Sequence, residues 1–180
     1  MALGARQAGS TVTEINAMDE DAFVAAFDTV VEHSPWVAGE AWRRRPFGSA
    51  AALRLAFEAA IGTASRERRL ELLRAHPELA GREAAAGELT DASAREQRGA
   101  RLDRLAPEEL AELGALNAAY RARFGFPFIA CVREHSVDSL LAWGAARLQR
   151  DAEAEEATAL AEVGKIVGLR LGDLVTDNAR

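Results

Sequence analysis

His76 stands in the stretch ELLRAHPELAG, three residues after Leu73 and directly before Pro77. Helical spacing puts it on the face that Leu72 and Leu73 turn toward the core, where the proline stops the helix. An imidazole in that place can exchange a proton near neutral pH, or satisfy the last carbonyls of its own helix. Glu96 supplies a carboxylate, although Ser93-x-x-Glu96 also has the form of a capping box. Arg170 shares a helical stripe with Val163, Ile166, Val167 and Leu174, all of them apolar. Because a buried unpaired charge is too costly, its guanidinium must reach solvent, meet a carboxylate or face an anionic ligand. A proton carrier, a carboxylate and an anion holder form a set that requires no metal and no organic cofactor.

Other chemistries are less well supported. The remaining histidines, His33 and His135, form no His-x-x-x-His pair with each other or with His76, and the single cysteine cannot help complete a cysteine-rich site, so no metal is expected. Cys131 could serve as a histidine-activated nucleophile, but it sits in FPFIACV among residues that want burial, where a thiol packs as a small hydrophobe. Neither a Gly-x-Ser-x-Gly elbow nor a glycine-rich phosphate loop occurs.

The elements that must position these residues are helical. Asp19 can cap a helix carrying Phe23, Phe27, Val30 and Val31 as far as Ser34-Pro35, and Ser49 can start another that ends at Gly62 in a left-handed stop. Ser65 can cap the helix that His76 ends. After the weakly patterned GREAAAGELT, helical character resumes in TDASAREQRGARLDRL. Pro107 suits the first turn of a helix that Gly125 stops. The following FGFPFIACVRE predicts an extended or irregular interior segment, and two helices, about 137–150 and 151–175, complete the chain. Within the second, the acidic DAEAEEATALAEV is expected to be a solvated face. The spacing therefore predicts an all-α single compact multi-helix domain over residues 13–176, with a flexible N-terminus, 1–12, and a tail, 177–180.

Composition narrows the function. The chain has 180 residues, 49% hydrophobic and 28% charged, with a net charge of -6. That size suits one globular domain, and the acidic balance lacks the footprint of a nucleic-acid binder. Arg43, Arg44 and Arg45 form the only basic run, expected to be ion-paired at the surface. No apolar run approaches the ~20 residues of a membrane span, the first residues lack a secretory pattern, and one cysteine fits a reducing compartment, so a cytoplasmic protein is expected.

HPELAG, GELTDASAREQ, LNAAYRARFGFPFIACVRE and EVGKIVGLRLGDLV occur in that order. Together they resemble the 2-oxo-4-hydroxy-4-carboxy-5-ureidoimidazoline (OHCU) decarboxylases of urate breakdown, over roughly residues 20 to 176. SPWVAGEAW and RPF are similar to the family's N-terminal segment. The resemblance implies an all-helical homodimer without metal or cofactor that converts an unstable hydroxy acid to (S)-allantoin and carbon dioxide. It implies that His76 and Glu96 are catalytic. It also implies that Pro77 lines the substrate and that residues 93–97 (Ser93, Ala94, Arg95, Glu96 and Gln97) bind it. The main chain of Phe128, Ile129, Ala130, Cys131 and Val132 and the side chain of Arg170 would complete the site. The ending TDNAR is not a peroxisomal Ser-Lys-Leu, which keeps the expectation cytoplasmic.

Such a reaction uses the substrate's own carbon-nitrogen double bond as the electron sink, leaving the protein to orient, stabilise charge and deliver a proton to one face. His76, titrating near neutrality, is the expected donor. Two other classes compete: a helical ligand-binding module without turnover, and a cysteine hydrolase built on Cys131.

Overall fold

The computed structural model describes residues 9–177. Helices fill most of that span, and the fold is all-α as the spacing predicts. Among the described residues the only strands are β1 (Ser10–Thr11) and β2 (Val175–Thr176), a parallel pair that joins the two ends of the described span. The boundary expected at residue 12 therefore differs. Residues 1–8 lie outside the described ones, but Ser10 and Thr11 are paired and Val12 is only 2% exposed, in the core. Of the expected tail, residues 178–180 lie outside the description, and Asp177 accepts a hydrogen bond from the Ala50 amide at 2.7 Å.

Helix starts follow the capping residues. Thr11 caps α1 (Val12–Ala17), Asp19 caps α2 (Glu20–Phe27), Ser49 caps α4 (Ala50–Gly62) and Ser65 caps α5 (Arg66–Ala75). Between them, α3 (Trp36–Trp42) packs its small residues against α2 and α4. After the short α6 (Arg82–Ala86) come α7 (Asp91–Gly99), α8 (Pro107–Phe124), α9 (Val137–Arg147) and the long α10 (Ala152–Leu174). Pro107 opens α8 and Gly125, at φ 78°, ends it, as read from the sequence.

Four local expectations fail for physical reasons. The α2 helix stops at Phe27, not at Ser34-Pro35, because the β-branched Thr29, Val30 and Val31 favour a 3-10 turn and then extended backbone. Gly62 is not a left-handed stop: its helix runs through it to Thr63, whose hydroxyl donates to the Ala59 carbonyl. The cap of α7 is Thr90, which accepts from the Ser93 amide, so Ser93 and Glu96 lie inside the helix. The acidic run in α10 is not a solvated face. Glu155 pairs with Arg147, both fully buried, and Glu156 and Glu162 are buried as well.

The basic run is paired at the surface: Arg43 meets Glu20 and Glu40, and the Arg45 guanidinium lies 3.6 Å from the centre of the Trp42 ring.

Two hydrophobic clusters organise the interior. One unites α1 to α5 with α10; the other lies between α8, α9 and Leu79. Residues 126–132 run between them, with Phe126, Ile129 and Cys131 in the first cluster and Phe128, Ala130 and Val132 in the second. Being buried on both sides explains why this stretch is apolar without interruption.

Candidate active site

Four pieces of chain converge on one small cavity of about 20 Å³. The end of α5 and the turn after it bring His76, Pro77 and Leu79; α7 brings Ser93, Glu96 and Gln97; the segment between the clusters brings Ala130, Cys131, Val132 and Arg133; and α10 brings Ile166, Leu169 and Arg170. Residues 93, 96 and 97 share one face of α7, which is why Ala94 and Arg95 do not line the cavity. Arg95 is exposed and donates to the Asp91 carbonyl on its own helix. Phe128 and Ile129 are likewise outside the lining, packed into the two clusters.

His76 ends α5 with extended backbone, its amide still bonded to the Leu73 carbonyl. The next turn is held from two sides. Gln97 accepts from the Ala80 amide at 2.9 Å and donates to the Glu78 carbonyl, and Asn117 donates to the Leu79 carbonyl at 3.1 Å. The carboxamide of Gln97 is thus committed to positioning the His-Pro turn. Ala80 takes φ 48°, a conformation costly for a residue with a Cβ and kept in place by these bonds.

Arg170 is 4% exposed and Glu96 8%. The guanidinium meets the carboxylate edge-on, Nε to Oε1 at 3.0 Å and Nη2 to Oε2 at 2.8 Å. Its other donors go to the Ser93 hydroxyl at 2.9 Å and to the carbonyls of Thr29 and Val30 at 3.0 and 3.4 Å. All five N–H groups of the side chain are therefore taken by protein acceptors. Of the three fates open to Arg170, the fold selects pairing with a carboxylate.

Glu32, absent from the sequence-based set, is 2% exposed and faces the same cluster. Its Oε1 accepts from the hydroxyls of Thr90 and Ser93 and lies 3.4 Å from Arg170 Nη1. Its Oε2 is buried with no hydrogen-bond partner. The early end of α2 accompanies this, since the Thr29 and Val30 carbonyls that Arg170 reaches belong to the 3-10 turn, and Glu32 follows the extended Val31. Nothing in the spacing of Glu32 marks it. Arg133 was missed too, although it follows the Cys131-Val132 pair directly.

Electrostatics revise the expected titration of His76. Burial, reinforced by the nearby Arg170 cation, pushes the imidazole down from 6.5 to about 4, with Glu32 opposing and His33 adding slightly to the shift. At neutral pH the ring is uncharged, so His76 rests as a base and not as an imidazolium donor. Burial and the carboxylates of Glu134 and Glu162 push the Cys131 thiol up, which disfavours the thiolate that a hydrolase would need.

The main chain of the interior segment is partly engaged. The Cys131 amide donates to Glu162 at 2.8 Å, and the Ile129 carbonyl accepts from Arg147 at 2.8 Å. The amide and carbonyl of Ala130 have no partner among the described residues, a donor and an acceptor beside the cavity. Among those residues no group of three or more His, Cys, Asp or Glu side chains is placed to hold a metal ion.

Comparison with known proteins adds an independent line. The profile of the family described as OHCU decarboxylase matches residues 16–172. The chain belongs to the OHCU decarboxylase family. A relative from Haloferax volcanii named 2-oxo-4-hydroxy-4-carboxy-5-ureidoimidazoline decarboxylase is 44% identical over 163 residues, spanning 91% of this chain and 95% of its own. The solved structure of an (S)-allantoin synthase is similar at TM-score 0.74 and 28% identity, covering 92% of this chain and 54% of the larger one. An OHCU decarboxylase crystallised with (S)-allantoin shares the fold at TM-score 0.69 and 20% identity, covering 87% of this chain and 98% of its own. The matched region of this OHCU decarboxylase family member contains every residue of the cavity.

Proposed function

We propose that the protein is a carboxy-lyase that decarboxylates OHCU to (S)-allantoin in urate catabolism, without a cofactor, through a single helical domain. The observation that carries this reading is the convergence of His76, Glu96, Arg170 and the free main chain of Ala130 on one cavity in a chain of this family. The same reading takes the protein as a cytoplasmic homodimer, which light scattering on the purified chain and fractionation of its cells test. Among the described residues no helix is long and apolar enough to cross a membrane.

The chemistry begins with loss of carbon dioxide. The bonding pair left on carbon moves into the adjacent carbon-nitrogen double bond, and the ring nitrogen that receives the charge takes one proton from solvent. The resulting enol must then lose its hydroxyl proton and gain one on the neighbouring carbon. A neutral imidazole suits that exchange, because it accepts the hydroxyl proton and returns it to a single face of the carbon. His76 is assigned this shuttle. Glu96, fixed by Arg170, would accept hydrogen bonds from the ureido and ring N–H groups, while Ala130 reads the ring with its amide and carbonyl. Ser93 and Pro77 shape the remaining wall.

Generating the substrate in situ from urate with the two preceding enzymes, and following optical rotation, tests the reading. Spontaneous decay gives racemic product, so the wild-type protein must produce (S)-allantoin faster than buffer and with an enantiomeric excess. His76→Ala and Glu96→Gln should each lose several orders of magnitude in rate. A racemic product formed at the buffer rate would sink the proposal.

A further inference from the structure

Three cationic or basic side chains line the cavity, and two of them have no capacity for an anion. His76 is uncharged at neutral pH, and every donor of Arg170 is already committed. The third is Arg133, on the 3-10 turn Val132–Glu134. Its side chain is 37% exposed, and Nη2 donates to the half-exposed Asp173 at 2.9 Å while lying 3.7 Å from Glu96 Oε1. Nε and Nη1 have no hydrogen-bond partner among the described residues. The pair joins the interior segment to the last turn of α10 beside a cavity that holds about 20 Å³, space for one water and far below the roughly 300 Å³ that small-molecule sites begin at. Substrate access therefore requires the cavity to enlarge, and the Arg133–Asp173 pair is a partly exposed contact at its edge.

On the proposed decarboxylase reading, we infer that Arg133 is the residue that recognises the substrate carboxylate, exchanging Asp173 for it as the site opens. Once Nη2 of Arg133 is released from Asp173, it presents a carboxylate with a fork together with either Nε or Nη1, both of which are free. Its half-exposed position matters as much. A dry, saturated arginine would hold the ground-state carboxylate strongly and oppose its loss, whereas a solvated one binds it modestly and lets carbon dioxide leave toward solvent. The product has no carboxylate, so after turnover Arg133 returns to Asp173. Arg133 is thus a binding and specificity residue that separates substrate from product.

Steady-state kinetics with the in-situ substrate, and (S)-allantoin as a competitive inhibitor, test the inference. Arg133→Gln should raise KM about tenfold or more, change kcat by less than about threefold, and leave the inhibition constant of (S)-allantoin nearly unchanged. Arg133→Lys should restore part of the KM, and Asp173→Asn, which removes the competitor, should lower it. The inference is overturned if Arg133→Gln leaves KM unaltered, if allantoin binding weakens as much as substrate binding, or if Asp173→Asn raises KM as Arg133→Gln does. An inactive wild type would instead remove the decarboxylase reading itself, so the two failures are distinct.

Discussion

Arg170 on α10 and Glu96 on α7, 74 residues apart, meet through two parallel hydrogen bonds of 3.0 and 2.8 Å in the interior. This contact fixes the angle of the Glu96 carboxylate, proposed above to bind the substrate, and joins two of the four chain segments that build the cavity. It also leaves Arg170 with no donor for a ligand, so its contribution to catalysis passes through Glu96 and Ser93.

Replacing Arg170 should therefore harm stability and activity by separable routes. Arg170→Met would leave Glu32 without a cation in the core and Glu96 with only the 3.7 Å approach of Arg133, a loss of about 3–5 kcal/mol by the precedent of broken buried pairs. Urea unfolding should show it. Adding Glu96→Gln to that variant should recover part of the stability, because one uncompensated charge is gone, while turnover stays abolished. If Arg170→Met unfolds at the wild-type midpoint, the pair is not the clasp described.

His76 gives the pH dependence a sign. Its folded value, about 4, lies below the unfolded 6.5, so between those values the unfolded chain binds a proton that the folded chain refuses. Stability is therefore lost as pH falls through this window, by about 1.4 kcal/mol per unit and about 3 kcal/mol in all. The difference in unfolding free energy between pH 7 and pH 4.5 should be smaller in His76→Asn than in wild type, other carboxylates cancelling in the comparison. The acid limb of kcat/KM should fall near pH 4 and not near 6.5.

How much of this was legible beforehand depends on what each residue's signal was. Asp19, Ser49, Ser65, Pro107 and Gly125 act locally, through caps and turns, and they sit where spacing puts them. His76 was readable as a helix end turned inward, and the cost of burying Arg170 on an apolar stripe restricted its fate to three. Tertiary pairing carried the rest. Glu155, Glu156 and Glu162 look solvated in sequence because their partners, Arg147, Arg66 and the Cys131 amide, come from other segments. Glu32 lacks any periodic marker, since it follows a helix that stops early. The titration of His76 differs from the sequence expectation because spacing turns the ring inward but shows neither how far it is desolvated nor the Arg170 charge beside it.

Cys131 is a third test. The thiol is buried, its pKa is raised by burial and by Glu134 and Glu162, and the residue's amide, not its sulfur, makes the long-range bond to Glu162. Cys131→Ser should retain kcat/KM within a few fold and lose only about 1–3 kcal/mol from burying a hydroxyl. Native protein should resist iodoacetamide at pH 7.5 until urea is added. Rapid alkylation with parallel loss of activity would revive a thiol mechanism.

Gly144 on α9 tests whether the second cluster sets the cavity from behind. A Cβ there would collide with a Leu116 methyl and stand 3.1 Å from Cζ of Phe128, two residues before Ala130 in the interior run. Both neighbours are buried, and Phe128 is also tilted against Tyr120 and edge-on to Trp143. Gly144→Ala should cost about 1–3 kcal/mol by overpacking, in spite of the higher helix propensity of alanine. If the strain relaxes by moving Phe128, the amide and carbonyl of Ala130 move with it, and KM should rise at temperatures where circular dichroism still shows the folded helices. A thermal midpoint equal to that of wild type would mean that α8 and α9 separate without cost and that this wall of the cavity is not held rigidly.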